Sequence, residues 1–228
     1  SVSENPWLKN TQLVAKAHEA LGSRFKLGLV RVKLNFTQTR SAVKSMIGHQ
    51  IGGLTVREVI VSEMIPHSQE YYVAIQATRK GADILLATCG GIDVEENWNR
   101  VKSLSVEVGD TPSRTSLQTL ARKTGFPSNL TGKIADFAGK LFAAYDKEDA
   151  QYLEVNPLVQ RSFDGTLVAL DVVTLLDADA KYRHPDWTFP FAAEFGRAYT
   201  NSEKELMEID AKVKGSIKFI EIPGGDTA

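Results

Sequence analysis

Tyr152 to Asp179 reads YLEVNPLVQRSFDGTLVALDVVTLLDAD, and the fold follows from how this stretch pairs with itself. Two runs rich in Val and Leu flank Phe163-Asp164-Gly165-Thr166, and an Asp-Gly pair between apolar runs signals a β-hairpin. With Asp164 and Gly165 as the two turn residues, Leu158 falls opposite Asp171. Side chains alternate along a strand, so Glu154 and Asn156 are expected on the face of Leu158. Asn156 and Asp171 then become diagonal cross-strand neighbours, roughly 7–8 Å apart at the backbone. Converging oxygens of this kind suit a hard cation such as Mg²⁺, which completes its shell with water and nucleotide phosphates. Pro157 has no N–H for the ladder, which predicts that pairing ends or bulges there. A plain surface hairpin with solvated polar residues is the alternative and the commoner case.

The composition sets the frame for that hairpin. At 228 residues the chain has room for one large domain or two small ones, with a sizeable core. It is 43% hydrophobic and 24% charged, as soluble globular proteins are. Lys plus Arg total 27 against 28 acidic residues, so no basic excess points to nucleic acid or an acidic membrane surface. No apolar stretch approaches the roughly 20 residues of a membrane helix. Ser1-Val2-Ser3-Glu4-Asn5 lacks the basic end and apolar core of a signal peptide, and Cys89 alone makes no internal disulfide. A reducing, cytoplasmic setting is the expectation.

Upstream, Gln12 to Lys16 reads as a strand ending on a lysine, followed by a turn (Leu21 to Lys26) and a second strand, Leu27 to Leu34. Lys16, Arg24 and Lys26 around this turn place cations where a loop can cover polyphosphate oxygens. Thr37 to Ile47 has helical spacing, and strands are expected at Val56 to Ile65, Glu70 to Thr78 and Asp83 to Thr88. Pro66 ends the first of these and leaves backbone groups for other partners. Glu70 is either a carboxylate acceptor for hydroxyls or a solvated strand residue. Cys89-Gly90-Gly91 breaks the third strand ahead of an acid-rich helix start at Asp93. Gly-Gly before a helix is a weak anion-cradle signal. Arg114 to Thr124 and Leu130 to Asp146 read as helices, the second with an apolar core stripe and Asn129 or Thr131 as its cap. Glu203 to Val213 reads as a helix, Ser216 to Ile222 as a strand and the tail from Pro223 as linker. His18, His49, His67 and His184 have no metal-ligand spacing, and no Ser-His-Asp or Walker pattern appears.

Several motifs carry a resemblance in the same order along nearly the whole chain. Leu153-Glu154-Val155-Asn156-Pro157-Leu158-Val159, Leu170-Asp171 and Lys181-Tyr182-Arg183-His184-Pro185 are similar to the nucleotide-binding subunit of succinyl-CoA synthetase-type enzymes. Pro66 to Tyr72, Cys89 to Trp98, Phe189-Pro190-Phe191 and Phe195-Gly196-Arg197 narrow this to the ATP-citrate lyase and citryl-CoA synthetase family.

The resemblance implies an α+β ATP-grasp fold, two α+β lobes clamping a nucleotide. The expected division is 1–65 for a partial first lobe, 66–222 for the second and 223–228 for a linker toward a further domain. It implies Lys16 and Arg24 on the phosphates of ATP, Glu63 and Ile65 in the connector at the adenine, and Glu70 on the ribose. It also implies Asn156 and Asp171 on Mg²⁺ and Glu154 as the catalytic carboxylate toward a phosphohistidine. That histidine and the CoA site belong to a partner subunit or domain in a hetero-oligomer, with citrate bound mainly outside this chain. One departure stands out: Phe25 occupies a glycine position of the family's phosphate loop. A succinyl-CoA synthetase subunit and a non-catalytic nucleotide-binding fragment are the competing expectations.

Overall fold

The alternation Leu13, Ala15, Ala17 buried against Val14 and Lys16 half-buried makes Leu13–Ala17 (β1) a strand with one face in a core. The computed structural model describes residues 3–18, 24–51, 54–189, 200–210 and 212. They form two units, one of the chain up to Met64 with the stretch after Phe189, the other spanning Ile65–Phe189.

In the first unit, β1 is the middle strand of an antiparallel sheet. Val30–Leu34 (β2) lies on one side and Val59–Glu63 on the other, the latter being β5 once the short hairpin Gln50–Ile51 (β3) and Leu54–Thr55 (β4) is counted. The helix Phe36–Met46 (α1) starts on a capping box, in which Asn35 accepts from the Gln38 N–H and Gln38 accepts from the Asn35 N–H, both at 2.9 Å. That box sets the helix one residue ahead of the expected start at Thr37. Ala17, Leu29, Met46 and Val56 close the core between strand and helix. The second strand begins at Val30 rather than Leu27, because residues 24–28 are turn and the Gly28 N–H donates to the Phe25 carbonyl at 3.0 Å.

The second unit is built on a six-stranded antiparallel sheet. Glu70–Thr78 (β6) pairs with Gly81–Ala87 (β7), which after the short helix Ile92–Glu96 (α2) pairs with Lys102–Glu107 (β8). Two helices follow, Arg114–Thr124 (α3) and Ser128–Lys147 (α4). The chain then returns as Ala150–Gln160 (β9) beside β6, with Leu167–Ala169 (β10) and Val172–Leu176 (β11) both paired to the far side of β9. The main core lies between one sheet face and α3/α4, where Tyr71, Val73, Ile75, Ile84, Val155 and Leu158 meet Leu117, Leu130, Ile134 and Phe142. The opposite face carries a smaller cluster of Tyr72, Ala74, Leu85, Ala87, Cys89 and Val94. Cys89 is thus a buried packing residue. A last helix, Asn201–Asp210 (α5), belongs to the first unit. The expected strand Ser216 to Ile222 and the segments 190–191 and 195–197 lie outside the described residues.

The hairpin forms, but two residues out of the expected register. Leu158 pairs with Ala169, and the Asn156 N–H donates to the Asp171 carbonyl at 3.2 Å, so Asn156 and Asp171 stand directly opposite rather than diagonal. A two-residue type I′ turn needs positive φ at both central residues, and here only Gly165 has it, at 67°. Asp164 is instead pinned by the Arg161 guanidinium and by the Thr166 N–H at 3.0 Å, giving a longer loop closed between Arg161 and Thr166.

A second correction concerns faces. Between the pairs Val73↔Val155 and Tyr71↔Leu158, β9 has two residues, Asn156 and Pro157, against Tyr72 alone. This is the bulge expected at Pro157, and the Asn156–Pro157 peptide is cis. It turns Leu158 into the core with Val155, away from the face of Glu154 and Asn156. Smaller differences remain: the strand expected from Val56 starts at Val59, and the hairpin of β3 and β4 was not expected. Neither Asn129 nor Thr131 caps α4, which starts earlier, with the Pro127 carbonyl accepting from the Leu130 and Thr131 N–H groups. β8 was not expected, although Leu104 and Val106 alternate with Ser103 and Ser105.

Candidate active site

In the first unit, β1 places Lys16 opposite Val30 and Ile60, on the face away from Ala15 and Ala17. An Arg24 Nη1–H donates to the Ala17 carbonyl at 2.9 Å, so the arginine docks at the same end of β1 as Lys16. Glu63 pairs with Leu13 at the other end of the strand and is exposed. Phe25 projects from the turn, 55% exposed. Two cations at one strand end, beside a turn with an exposed aromatic tip, suit a polyanion.

Ile65, Glu70, Glu154, Asn156 and Asp171 all lie in the second unit. Its corner is organised by Cys89-Gly90-Gly91, where the end of β7 meets the start of β6. A methyl at Gly90 would lie 2.5 Å from the Tyr71 carbonyl oxygen, and one at Gly91 would lie 2.4 Å from Glu70 Oε2. Gly91 also has φ 62° and ψ -135°, a conformation glycine adopts readily. This close approach lets the Gly91 N–H donate to Asn156 Oδ1 at 2.6 Å, while Asn156 Nδ2 donates to the Gly91 carbonyl at 3.4 Å. The expected ribose acid and the expected metal ligand are therefore joined through one glycine. His67 completes the corner: Nδ1–H donates to the Ile65 carbonyl at 2.7 Å, and Nε2 lies 3.3 Å from Glu70 Oε1. Because Nδ1 is used as a donor, the contact with Glu70 becomes a hydrogen bond when the ring carries its second proton.

The Asn156 N–H donates to the Asp171 carbonyl, in the break between β10 and β11, and residues paired in this way share a sheet face. Asn156 Oδ1 uses one lone pair on Gly91 and keeps a second. An amide oxygen and a carboxylate, with phosphates and water, make a donor set that fits Mg²⁺. Among the described residues no group of three or more His, Cys, Asp and Glu converges as a metal centre.

Tyr152, Glu154 and Asn156 follow one another on this face of β9, opposite the helices. The Tyr152 hydroxyl donates a short hydrogen bond to Glu154 Oε2 and lies 3.2 Å from the Tyr72 hydroxyl. Burial, and then the Tyr152 hydroxyl and the Glu154 charge, push the Tyr72 phenol well above its usual range. Burial, and then the bond to Glu154, push Tyr152 up as well. Both phenols stay protonated. Trp98 meets the Tyr72 ring edge-on at 5.9 Å and is itself 54% exposed. The alternation Tyr152–Glu154–Asn156 is visible in the sequence and signals that Tyr152 belongs to the site; Tyr72 and His67 are brought in only by pairing across the sheet and by the Gly90-Gly91 approach.

Lys181 to Pro185 has a structural job. Asp149 accepts from the Arg183 guanidinium, with Nε at 2.6 Å, and from His184 Nε2 at 2.6 Å. His184 stacks on buried Trp187 at 3.9 Å. The Arg183 bonds first, then His184, hold the Asp149 carboxyl down at about 2.

Residues 1–187 match the family model described as the ATP-citrate synthase ATP-grasp domain. The chain is 34% identical over 229 residues to the ATP-citrate synthase subunit alpha chain protein 1 of Oryza sativa subsp. japonica, covering 96% of this chain and 54% of that protein. It is 32% identical over 219 residues to an ADP-forming succinate–CoA ligase subunit beta of Chloroflexus aggregans, covering 93% of this chain and 55% of that protein. Among solved structures, ATP citrate lyase from Methanothrix soehngenii in complex with citrate and coenzyme A matches with a TM-score of 0.72 at 29% identity, over 95% of this chain and 52% of that one. The chain spans about half the length of these relatives.

Proposed function

Since the chain belongs to the ATP-citrate synthase ATP-grasp domain family, with the ATP-grasp fold, we propose that it binds MgATP and passes the γ-phosphoryl group to a histidine on a partner subunit or domain. The P–O bond to the β-phosphate breaks, a P–N bond to imidazole forms, and ADP leaves. The phosphoryl group then passes to citrate, and citryl-CoA, acetyl-CoA and oxaloacetate follow in the assembled enzyme.

Phosphoryl transfer asks a protein mainly for positioning and charge neutralisation. Lys16 and Arg24 supply cations for the phosphates. Glu63 and Ile65 lie in the connector that meets the adenine, and Glu70 accepts from the ribose hydroxyls. Asn156 and Asp171 would hold Mg²⁺, which when bound neutralises phosphate charge. Glu154 accepts the N–H of the incoming imidazole. The observation that carries this reading is the Gly91 junction, which sets Glu70 and Asn156 together, with Glu154 beside Asn156 on the same strand face.

Two of the four histidines are already engaged within the chain, which favours an external acceptor. His67 is engaged with Ile65 and Glu70, and His184 with Asp149 and Trp187. Among the described residues no helix is long and apolar enough to cross a membrane, and Cys89 is a free thiol in a core. A cytoplasmic hetero-oligomer that binds neither nucleic acid nor membrane is part of the proposal.

The test is incubation of the chain with γ-labelled ATP, with and without its partner. Acid-labile, base-stable label is expected on the partner only. Label on this chain alone would end the proposed division of labour. The similarity to a succinate–CoA ligase subunit supports a second reading, a subunit acting on succinate. Turnover of the assembled enzyme with citrate and not succinate would reject it.

A further inference from the structure

Glu154 is held by two hydroxyls in series. Tyr152 and Glu154 are two residues apart on β9, so both leave the same face. Ala74 on β6 pairs with Glu154, and its small side chain leaves space above the sheet for the ends of two phenol rings. Tyr72, two residues before Ala74, fills that space from one side and Tyr152 from the other, and their hydroxyls stand 3.2 Å apart. The direction of the chain follows from counting protons. A phenol has one, and Tyr152 gives its proton to Glu154 Oε2, so the contact with Tyr72 runs from the Tyr72 O–H to the Tyr152 oxygen. Bonds in series polarise one another, which strengthens the last one. The Tyr152 hydroxyl bonds Glu154 through Oε2, and the Tyr72 hydroxyl lies close enough to act on the same carboxylate.

We propose that Tyr152, backed by Tyr72, is a positioning residue that fixes Glu154 Oε2 so that Oε1 meets the N–H of the partner's imidazole during phosphoryl transfer. This deepens the reading of Glu154 given above and rests on it. An imidazole attacks through the nitrogen that carries no proton, and the other N–H must be aimed and its growing positive charge balanced. A carboxylate does both, provided that its plane does not swing. Tyr152 supplies the restraint and Tyr72 restrains Tyr152, and neither ring touches phosphate. Both phenols are shifted upward, so each remains a donor throughout the neutral range.

The experiment is rapid-quench measurement of phosphohistidine formation in the assembled enzyme at saturating MgATP. Tyr152→Phe keeps the ring and its packing, and thermal melting verifies the fold. It is expected to slow a single turnover by about tenfold, because misaiming a positioned group costs that order, while the MgADP Kd stays within about twofold. Tyr72→Phe is expected to slow it by about threefold, and the double variant should match Tyr152→Phe, since Tyr72 acts through Tyr152. In a Glu154→Gln background neither tyrosine change should slow the step further. Equal slowing in that background, a loss of nucleotide affinity in step with the rate, or an unchanged rate in Tyr152→Phe would overturn the proposal. A wild-type enzyme that binds MgADP but forms no phosphohistidine would instead overturn the underlying reading, and the relay with it.

Discussion

Gly90→Ala isolates what the close approach of the two strand ends contributes. The backbone of Gly90 has no positive φ, so the substitution is a steric test. The added methyl would lie 2.5 Å from the Tyr71 carbonyl oxygen, 2.8 Å from its carbon and 2.9 Å from the Tyr71 nitrogen. All three are main-chain atoms of β6 and cannot rotate away. Non-bonded contact is comfortable at roughly 3.5 Å, so the turn must withdraw by about 1 Å. The bond from Gly91 N–H to Asn156 Oδ1 starts at 2.6 Å and would pass beyond hydrogen-bonding range. Losing a partly buried bond costs about 1–3 kcal/mol and overpacking a further 1–3. A total of about 2–6 kcal/mol is expected, or a fall in Tm of roughly 4–24 °C for a chain of this size. The affinity for MgADP should drop as well, because Asn156 and Glu70 lose their common neighbour. Scanning calorimetry and titration calorimetry with MgADP measure the two effects. A variant melting within about 2 °C of wild type with unchanged affinity would refute the reasoning.

Gly139→Ala is the opposite case: the glycine sits inside α4, and an added methyl would meet only Leu117 Cδ1 at 3.5 Å. It should stabilise by about 0.5–1 kcal/mol in thermal melts through helix propensity, and a destabilised variant would contradict that. Asp149→Asn should remove a pH dependence. The carboxyl ionises at about 2 rather than near 3.8, so its contribution is fully present above pH 3.8 and is lost as pH falls toward 2. The loss at neutral pH, discounted for partial exposure, is about 1 kcal/mol, and Tm profiles of the two proteins should converge in acid; parallel profiles would count against it. Asp171→Asn should weaken Mg²⁺-dependent binding of ADP by about tenfold, through loss of one ligand charge, and leave circular dichroism unchanged. Equal affinity with and without the carboxylate would remove Asp171 from the metal site.

Local rules carried most of the elements. Arg114 to Thr124 begins after Ser113, whose hydroxyl caps it, and ends at Gly125 with φ 95°, signals readable letter by letter. The glycines at 90 and 91 could be seen breaking a strand, but not what they approach, since Tyr71 and Glu70 are brought beside them by strand pairing. The hairpin register failed for a similar reason. Asp164 has a choice between offering φ above zero and bonding Arg161 and Thr166 through its carboxylate, and the composition of the turn does not say which prevails. A slip of two residues preserves the face, so Asn156 and Asp171 are opposed in the backbone despite the error. Lys16 and Arg24 could be read as phosphate-facing cations from their placement around one turn, whereas the expected role of Glu63 came from family likeness alone.

The bulge at Asn156 and Pro157 also bears on whether this site can be moved to another scaffold. On an unbroken strand, residues 154, 156 and 158 all project to one side. A designer who copied Tyr152 to Val159 onto such a strand would carry Leu158 out of the interior with Asn156. Leu158 is fully enclosed here, and exposing a side chain of that size forfeits about 1.5–3 kcal/mol. Seating the leucine instead would push Asn156 and Glu154 into the apolar layer. The eight letters are thus a working unit only together with the extra residue facing Tyr72, and a transplant must bring that irregularity with it.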